Sequence, residues 1–534
     1  MKLNRELLSN ENAQNEIGLK MPAFDVQAVK EKTMEEPIWL HCGAGNIFRA
    51  FLGAAHQQLL NKGTTDKGII AAEGYDFEIV DVMEGYDNLT INVMLKDTGE
   101  VDYEVVASIV DYLKMDLSDA DFEKVINIMK APSLQMVSFT ITEKGYSITD
   151  ASGEFTNVVK EDFTNGPSQV KSYIGKVVYM LHERYQAGKH PIALVSMDNM
   201  SHNGEKLAAS VRQFASKWVE NGFMDQGFVD YLNDETLVSF PWSMIDKITP
   251  RPDVKVKAML EEKGLEGMDP CMTERHTYVS PYVNGEETEY LVIEDHFPNG
   301  RPALEEAGII FTDRKTVNAT ETMKVTACLN PLHTALAVYG CLLGYEAIYE
   351  EMKDEDLVKL IKQLGYQEGL PTVVDPEIIS PKAFIDEVIN RRLPNPFIPD
   401  APQRIVTDTS QKLSIRFGNT LKAYVEQGDV SSLVAIPLVY AGWLRYLMGV
   451  DDQGEAMTLS PDPLLPELLP IFESVELGKE PEAEAIQALL KNADIFGIDL
   501  YEAGIGEDVW QLFLQLAKAP GAVRETLQQE LAKI

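Results

Sequence analysis

The stretch that decides the fold of this 534-residue chain is Ile38-Trp-Leu-His-Cys42, followed at once by Gly43-Ala-Gly45-Asn-Ile-Phe-Arg49. Residues 38–42 predict a short strand, and the two glycines allow the backbone to turn tightly after it. Apolar residues then recur at helical spacing up to Leu59, Gly63 predicts the end of that helix, and residues 69–72 predict a second strand. A strand, a glycine turn, a helix and a second strand form the opening of a dinucleotide-binding fold.

The glycine turn predicts a binding site for the pyrophosphate of a dinucleotide. Gly43 and Gly45 let the main chain approach the phosphates, and the next helix offers free N–H groups and its positive dipole end. Phe48 replaces the third glycine of the usual pattern, so the motif alone does not separate a binding turn from a structural one. Glu73, after the second strand, is the candidate that binds the adenosine ribose, unless it is a solvated loop acid; Asp76 is the second choice. A carboxylate there favours NAD over NADP.

Later strands and helices define the domain organisation. Strands predicted at residues 136–141 and 191–196 lead into polar segments, and ligands of open α/β sheets gather at such strand ends. From about residue 313 helical periodicity predominates. We therefore predict an α/β protein with a Rossmann-type dinucleotide-binding domain over residues 1–312, including an N-terminal arm, and a mostly α-helical domain over residues 313–534.

Two details of the helical half are also predicted from local patterns. The proline-rich residues 461–470 predict a loop or short connector, because proline removes a backbone donor. Residues 508–533 predict one long helix.

Charge and composition narrow the classes of function. The formal net charge of −37 repels nucleic-acid phosphates and anionic lipid headgroups, so we expect neither as a partner. The first residues lack the apolar core of a signal peptide, and no uninterrupted apolar run is long enough to span a bilayer. Four cysteines without CxxC spacing predict reduced, mostly buried thiols. We expect a cytoplasmic protein, a monomer or small homo-oligomer, that acts on a small molecule.

A second group of polar residues lies in an apolar helical stretch, Lys324-Val-Thr-Ala-Cys-Leu-Asn330-Pro331-Leu-His333. Each residue alone would be an ordinary hydrogen-bonded core residue, but burying all three polar groups together is costly and argues for a chemical role. A lysine whose pKa is lowered by burial accepts the proton of a hydroxyl, an amide N–H stabilises the developing alkoxide, and an imidazole orients the hydroxyl. The group therefore fits the oxidation of an alcohol.

This segment and several others resemble the mannitol dehydrogenase family over most of the chain. The matching segments are residues 43–49, 142–146, 198–199, 203–204, 243–250, 294–295, 300–302 and 324–334, with Arg404 followed eight residues later by Lys412. The resemblance implies an NAD-dependent oxidoreductase without a catalytic metal, and the sequence has no HExxH motif and no His/Cys cluster at metal-ligand spacing. The predicted cofactor-binding residues are Gly43, Gly45, Asn46, Phe48, Arg49 and Glu73.

The resemblance also implies the catalytic residues. Asn330 and Asn199 bind the carbonyl or alkoxide oxygen, and His333 holds a neighbouring hydroxyl. Lys324 is the general acid/base, and Asp246 binds substrate hydroxyls or tunes the lysine.

The substrate implied by the resemblance is a sugar acid. The chain is most similar to the longer family members that act on D-fructuronate, which implies interconversion of D-fructuronate and D-mannonate. The carboxylate of such a substrate needs cations; Arg404 and Lys412 are the candidates at its far end, while Arg391-Arg392 are either part of this clamp or surface charges. Tagaturonate and a neutral polyol such as mannitol stay open as substrates. Two other classes of function also stay open: a sugar-acid epimerase with bound NAD and a nucleotide-binding protein without turnover.

The spacing around Lys324 departs from the family pattern. In the family, Asn follows Lys by five residues and His by eight, whereas here the gaps are six and nine. On a regular helix the extra residue turns Lys324 by about 100° away from Asn330. Pro331 lacks an N–H group and disfavours α geometry at the residue before it, so we predict a local bulge that absorbs the extra residue.

Overall fold

The computed structural model describes residues 1–10, 14–15, 17–150, 152–252, 254–398, 400–479 and 481–534. It divides into two compact units, Met1–Asn318 and Ala319–Ile534. The sequence places the boundary at residues 312/313, six residues earlier than this division.

The first unit contains all the strands and about half of the helices described here. The strands are β1 (Trp39–Cys42), β2 (Ile69–Glu73), β3 (Thr90–Leu95), β4 (Val101–Val106), β5 (Ile109–Lys114), β6 (Met136–Phe139), β7 (Ile192–Ser196), β8 (Val238–Ser239), β9 (Ser243–Asp246), β10 (Cys271–Met272), β11 (Tyr278–Val279), β12 (Tyr282–Glu286), β13 (Tyr290–Glu294) and β14 (Ile310–Thr312). The α-helices are α1 (Arg5–Ser9), α2 (Val26–Glu35), α3 (Ala54–Lys62), α4 (Glu78–Glu84), α5 (Asp121–Lys130), α6 (Thr142–Tyr146), α7 (Asn157–Asn165), α8 (Tyr173–Gln186), α9 (Asn203–Glu220), α10 (Gln226–Asn233), α11 (Val254–Glu262) and α12 (Arg314–Met323), which continues into the second unit.

The main sheet has six parallel strands in the order β5-β2-β1-β6-β7-β8. Counted along the chain, this is the order 3-2-1-4-5-6 of a dinucleotide-binding domain. The central strand β1 pairs Leu40 with Ile70 of β2 and with Val137 of β6. The predicted Rossmann-type domain is therefore confirmed, and its ligand-binding edge lies where β1, β2, β6 and β7 end.

The central strands are buried on both faces, which explains why their sequences are continuous apolar runs. In β1, Leu40 and Cys42 belong to the core on one face, whereas Trp39 belongs to the core on the other. Helices α5, α8 and α9 cover the first face, and α3 and α4 cover the second. Gly63, with a φ of 72°, ends α3 where the sequence predicts.

Arg184 fastens the amino ends of β6 and β7 to the helices beside them. The side chain is fully buried in α8, and its three guanidinium nitrogens donate five hydrogen bonds to main-chain carbonyl oxygens. The acceptors are the carbonyl oxygens of Met129, Ala131, Leu134, His190 and Pro191. Burial lowers the pKa of this guanidinium to about 10, so it remains a cation at neutral pH.

Two small mixed sheets extend the first unit. One has the order β12-β3-β4 and the other the order β14-β13-β9, which places Asp246 at the end of β9 opposite Tyr290 of β13. These sheets are not evident from the sequence, because their strands are short and several of the paired strands lie far apart in the chain.

The part of the second unit that the structure describes is helical. Its α-helices are α13 (Asn330–Leu343), α14 (Ile348–Glu351), α15 (Glu355–Lys362), α16 (Pro381–Glu387), α17 (Pro402–Ile405), α18 (Leu413–Gln427), α19 (Ala435–Tyr446), α20 (Leu465–Phe472), α21 (Ala483–Leu489), α22 (Ala493–Phe496), α23 (Gly506–Leu516) and α24 (Ala522–Leu531). Three π-helical segments interrupt or extend them: Lys324–Cys328, Gln363–Gly369 and Val388–Arg392. The predicted mostly helical second domain is confirmed.

Two local predictions in this unit are wrong. The proline-rich segment 461–470 contains the start of helix α20 rather than a loop throughout, because Pro466 occupies the first turn, where no N–H is needed. Pro470 lies inside the same helix, and the apolar Leu468 and Phe472 are buried by it. Residues 508–533 form two helices instead of one, since Gly521 has a φ of 82° and follows a proline.

Glu351 is a buried acid in the core of the second unit. Its side chain is inaccessible to solvent, and neither carboxyl oxygen has a hydrogen-bond partner among the described residues. It packs against Gly340 of α13, where a Cβ atom would overlap Glu351 Oε1. Burial raises the pKa of Glu351 well above its usual value, and the nearby Asp354 raises it further. The folded protein therefore favours the protonated form of this carboxyl group.

Residues 314–343 form a helical stretch that has the length and composition to cross a membrane, yet most of it is buried within the structure. That burial is typical of a core helix. All four cysteines are unpaired; Cys42, Cys328 and Cys341 are buried and Cys271 is exposed, as the sequence predicts for most of them.

Candidate active site

The glycine turn lies at the carboxyl end of β1, at the ligand-binding edge of the sheet. Gly43 has a φ of 112°, and a Cβ atom there would lie 2.5 Å from the carbonyl oxygen of Thr140. Only glycine fits this close approach between the β1 and β6 ends. A Cβ atom at Gly45 would meet nothing within 4 Å, so open space lies beside the main chain where a phosphate group would approach.

Arg49 holds the turn from inside the protein. It lies in the π-helical segment Phe48–Gly53 and is 1% exposed. Its guanidinium donates hydrogen bonds to Asn46 Oδ1 (3.0 Å) and to the carbonyl oxygen of Ser280 (2.8 Å). Because both contacts are internal, Arg49 orients Asn46 and would influence a nucleotide through that side chain.

Phe48 is held in place by a buried histidine that stacks on its ring. Its ring stacks on His41 with 3.8 Å between the ring centroids. His41 in turn contacts Ser138 Oγ (2.7 Å) and Thr140 Oγ1 (2.9 Å) through its two ring nitrogens. Burial holds the pKa of His41 well below its usual value, so this support of the glycine turn stays uncharged.

Glu73 joins the end of β2 to the glycine turn. Its Oε2 accepts a hydrogen bond from the Ala44 amide (2.9 Å), and its Oε1 accepts from the amides of Tyr75 (2.8 Å) and Asp76 (3.1 Å). A carboxylate accepts about four hydrogen bonds, which leaves room on Oε2 for one more donor. Burial raises the pKa of Glu73, while these amide bonds lower it. Asp76, the second choice, accepts from Thr273 Oγ1 (2.7 Å).

The segment that carries Asn199 is anchored on both sides at the end of β7. On one side, Asp198 accepts hydrogen bonds from the amides of Ile141 (2.7 Å) and Thr142 (3.2 Å) and from Tyr146 Oη (2.6 Å). On the other side, Asn203 is fully buried at the start of α9. Asn199 therefore lies between two fixed residues at the ligand-binding edge of the sheet.

Asn203 also ties this segment to the strand that ends in Asp246. Its Nδ2 donates to the carbonyl oxygens of Ser196 (3.2 Å) and Asp198 (3.1 Å) and to Ser243 Oγ (2.9 Å). Its Oδ1 accepts from the amides of Gly204 (2.8 Å) and Ser243 (3.0 Å). Ser243 begins β9 and Asp246, which is 7% exposed, ends it. The side chain of Asn203 thus anchors the two segments of the first unit that carry the predicted catalytic residues Asn199 and Asp246.

In the second unit, a π-helical turn begins at Lys324. It spans Lys324–Cys328, and the amide of Leu329 donates to the carbonyl oxygen of Lys324 (3.1 Å), five residues back. A π turn contains one more residue than an α turn, so the predicted bulge is confirmed. The α-helix resumes at Asn330, and Pro331 occupies its first turn, where a missing N–H costs nothing. Lys324 is 1% exposed and Asn330 is half-buried.

His333 lies one turn into α13, beside a buried aspartate that the sequence analysis does not identify. His333 Nε2 is 3.6 Å from Asp400 Oδ2, and Arg404 Nη2 pairs with Asp400 Oδ1. Burial lowers the pKa of His333; Asp400 raises it, and Arg392, Arg416 and Arg404 lower it further. The imidazole is therefore neutral at physiological pH and able to donate one hydrogen bond and accept another.

Arg416 is the second residue that the sequence analysis does not identify. It lies on α18 one turn after Lys412, and its Nη1 donates to Thr334 Oγ1. Lys412 Nζ donates to the carbonyl oxygen of Thr407. Burial lowers the pKa of Lys412, as does the charge of Arg416. Both missed residues had a signal in the sequence: Arg416 follows Lys412 by four residues, and Asp400 precedes Arg404 by four, the spacing of neighbours on a helix.

Within each unit, the structure brings predicted residues together. Gly43, Gly45, Asn46 and Glu73 meet at one strand edge, and His333, Arg404 and Lys412 belong to one charged cluster. In the described parts of the chain, no three His, Cys, Asp or Glu side chains meet as metal ligands.

The dinucleotide fold and the helical unit that follows it match the two domains of one class of oxidoreductases. Residues 37–306 match the mannitol dehydrogenase Rossmann domain, and residues 316–516 match the mannitol dehydrogenase C-terminal domain. The chain belongs to the mannitol dehydrogenase family, which confirms the resemblance seen in the sequence.

Particular relatives cover all or most of the chain. The D-mannonate oxidoreductase of Thermotoga maritima is 49% identical over 540 aligned residues, which cover 100% of this chain and 99% of the relative. The D-mannonate oxidoreductase of Escherichia coli is 29% identical and covers 86% of this chain, with 89% of its own length matched.

Two solved structures share the fold over nearly the full length. A D-sorbitol dehydrogenase in substrate-free form has a TM-score of 0.81 at 24% identity and covers 98% of this chain and 100% of its own. The mannitol 2-dehydrogenase of Pseudomonas fluorescens, in a ternary complex with NAD and D-mannitol, has a TM-score of 0.73 at 27% identity, with 100% of both chains covered.

Proposed function

We propose that the protein is an NAD-dependent oxidoreductase that interconverts D-fructuronate and D-mannonate. The observation that carries this proposal is the 49% identity, over the full length of both chains, to a protein named D-mannonate oxidoreductase. The cationic cluster around His333 supports it, because a carboxylate-bearing substrate needs positive charge in a chain whose net charge is −37.

The first unit fits NAD by its shape and its donors. The close approach at Gly43 and the open space at Gly45 suit a pyrophosphate, and Glu73 retains capacity for a ribose hydroxyl. The carboxylate disfavours the additional phosphate of NADP through charge repulsion. When bound, NADH supplies the hydride that reduces the keto carbon.

The roles proposed for the chain's own residues follow from their chemistry. Lys324 Nζ gives a proton to the carbonyl oxygen during reduction and takes it back during oxidation. The amide groups of Asn199 and Asn330 donate to that oxygen as it gains charge. His333, being neutral, holds a neighbouring hydroxyl, and Asp246 binds substrate hydroxyls or tunes the lysine.

NADH oxidation by the purified protein tests this proposal. The substrates are D-fructuronate, D-tagaturonate and D-fructose, each repeated with NADPH and with EDTA. We expect turnover of D-fructuronate with NADH, unchanged by EDTA. Preference for D-fructose would replace the sugar acid with a neutral polyol, a candidate favoured by the 27% identity to a mannitol 2-dehydrogenase. Turnover without net NADH consumption would indicate an epimerase.

For the cellular setting, we propose the cytoplasm and a monomer or small homo-oligomer. This agrees with a dinucleotide-dependent reaction on a small sugar acid and with a chain too acidic to bind nucleic acid or anionic lipid.

A further inference from the structure

Arg416 differs from the other cations near His333 in what it binds. Arg404 is ion-paired with Asp400, and its side chain is 65% exposed. Lys412 donates to a main-chain carbonyl oxygen. Arg416 donates to the hydroxyl of Thr334 and pairs with no carboxylate among the residues that the structure describes. Its charge is therefore compensated less than that of Arg404.

Leaving such a charge without a counterion is costly. Burial lowers the pKa of Arg416 to about 10, and no acidic group acts against that effect. Arg416 is half-buried, and a guanidinium partly withdrawn from water is stabilised when a carboxylate or phosphate pairs with it. Since the chain has 84 acidic residues and the described part of it places none beside this guanidinium, the missing anion is expected to come from a ligand.

The position of Arg416 matches the geometry of a sugar acid. Thr334 Oγ1, which accepts from Arg416, itself donates to the carbonyl oxygen of Asn330 (2.9 Å). Asn330 and Thr334 are one turn apart on α13, about 6 Å along the helix axis. In D-mannonate, four carbon–carbon bonds separate the oxidised carbon from the carboxylate carbon, which is a comparable length. A carbonyl oxygen at Asn330 thus leaves the carboxylate one turn further along the helix.

We propose that Arg416 is the carboxylate-binding residue of the substrate site and selects a hexonate or keto-hexuronate over the neutral sugar. The inference rests on the proposed function and deepens it by assigning specificity to one side chain. Thr334 holds one guanidinium nitrogen and leaves the others for a two-pronged contact with the carboxylate. Arg404, whose charge is balanced by Asp400, then contacts hydroxyls rather than the carboxylate.

The test compares Arg416→Gln and Arg416→Lys with a matched control. Lys422→Gln removes one positive charge from an exposed position of the same helix. The readout is kcat/KM for D-fructuronate and for D-fructose, which carries a hydroxymethyl group in place of the carboxylate. We expect Arg416→Gln to lower the value for D-fructuronate about 100-fold or more, with D-fructose changed by less than about threefold. Arg416→Lys should lose less, again only with the uronate, and Lys422→Gln should change neither.

Equal losses with both sugars would overturn the proposal, because they indicate that Arg416 only supports the fold. An unchanged value for D-fructuronate would overturn it too, since the carboxylate would then bind elsewhere. If the wild-type protein reduces D-fructose but not D-fructuronate, the proposed function fails separately. Calorimetric titration of wild type and Arg416→Gln with D-gluconate and D-mannitol then decides: binding of the acid that depends on Arg416 supports the subsite, and no such binding refutes it.

Discussion

Deletion of Thr326 tests whether the π turn keeps Lys324 aligned with Asn330. Thr326 is half-buried in the middle of the segment Lys324–Cys328. Removing it shortens the five-residue segment to four residues, and a regular α turn can replace the π turn over that length. The spacing from lysine to asparagine becomes five, the spacing of the family. We expect the deletion variant to fold and to keep its activity.

The size of the effect follows from helix geometry. One residue turns an α-helix by about 100°, which moves a side-chain tip about 6 Å from the axis by roughly 9 Å. A lysine displaced that far no longer reaches the oxygen that it protonates, and a positioned acid/base group contributes about 10²–10⁴-fold to the rate. Inserting one alanine after Thr326 adds a residue that no common helical turn absorbs, so this matched variant should lose that factor.

The assay is kcat for NADH-dependent reduction, with thermal unfolding to confirm that both variants fold. The deletion variant should stay within about tenfold of the wild-type kcat, whereas the insertion variant should fall by about 10²–10⁴-fold. A folded deletion variant with a loss as large as that of the insertion variant would refute the reasoning, because the π turn would then do something other than preserve the phase of the helix.

Three further predictions concern Lys324, the buried acid Glu351 and the buried cation Arg184. Lys324→Met should lower kcat about 10²–10⁴-fold while NADH still quenches protein fluorescence on binding; an unchanged kcat would remove the lysine from the mechanism. Glu351 has a raised pKa in the fold and so binds its proton more tightly there than in the unfolded chain, which means that stability is lost as pH rises above about 4.3, the usual pKa of glutamate. Urea unfolding between pH 5 and pH 8 should show this loss of unfolding free energy in the wild type and in the exposed control Glu346→Gln, but not in Glu351→Gln. The same dependence of unfolding free energy on pH in the wild type and in Glu351→Gln would contradict the prediction. Arg184→Lys leaves at least two of five carbonyl acceptors unpaired, so unfolding free energy should fall by about 2–6 kcal/mol, whereas an unchanged midpoint would show that water replaces the lost contacts.

The first strand and its glycine turn were predictable because their signals are local. Residues 38–42 predicted β1 to within one residue, and Gly63 ended α3 as expected, since a run of apolar side chains and a left-handed cap each depend on a few neighbours. The bulge after Lys324 was predictable for a different reason. The spacing from Lys324 to Asn330 is one residue longer than in the family, and Pro331 indicated where the extra residue is absorbed.

The remaining features depend on contacts between distant residues. The pairing of β3 with β12 joins segments nearly 200 positions apart, and nothing in either short strand specifies the partner. Asp400 and Arg416 each stand four residues from a predicted cation, but that spacing does not specify a partner. Only the folded second unit shows Asp400 beside His333 and Arg416 beside Thr334. Helix α20 was missed because its prolines were treated as helix-breaking, although Pro466 occupies the first turn, where the missing donor does not matter.

Asn203 has a chemical weakness that the folded state suppresses. Gly204 follows it, and in an unfolded chain the unhindered glycine nitrogen attacks the side-chain carbonyl carbon, which leads to deamidation. In the fold the two groups are fixed by a hydrogen bond at the start of α9. A carboxylate at this position would oppose the carbonyl oxygens of Ser196 and Asp198 that now accept from Nδ2. We therefore expect deamidation of Asn203 to accumulate while the chain is unfolded. The fraction of protein that regains activity on refolding should then fall with the time spent denatured, and peptide mapping of this position should show the matching rise in deamidated product.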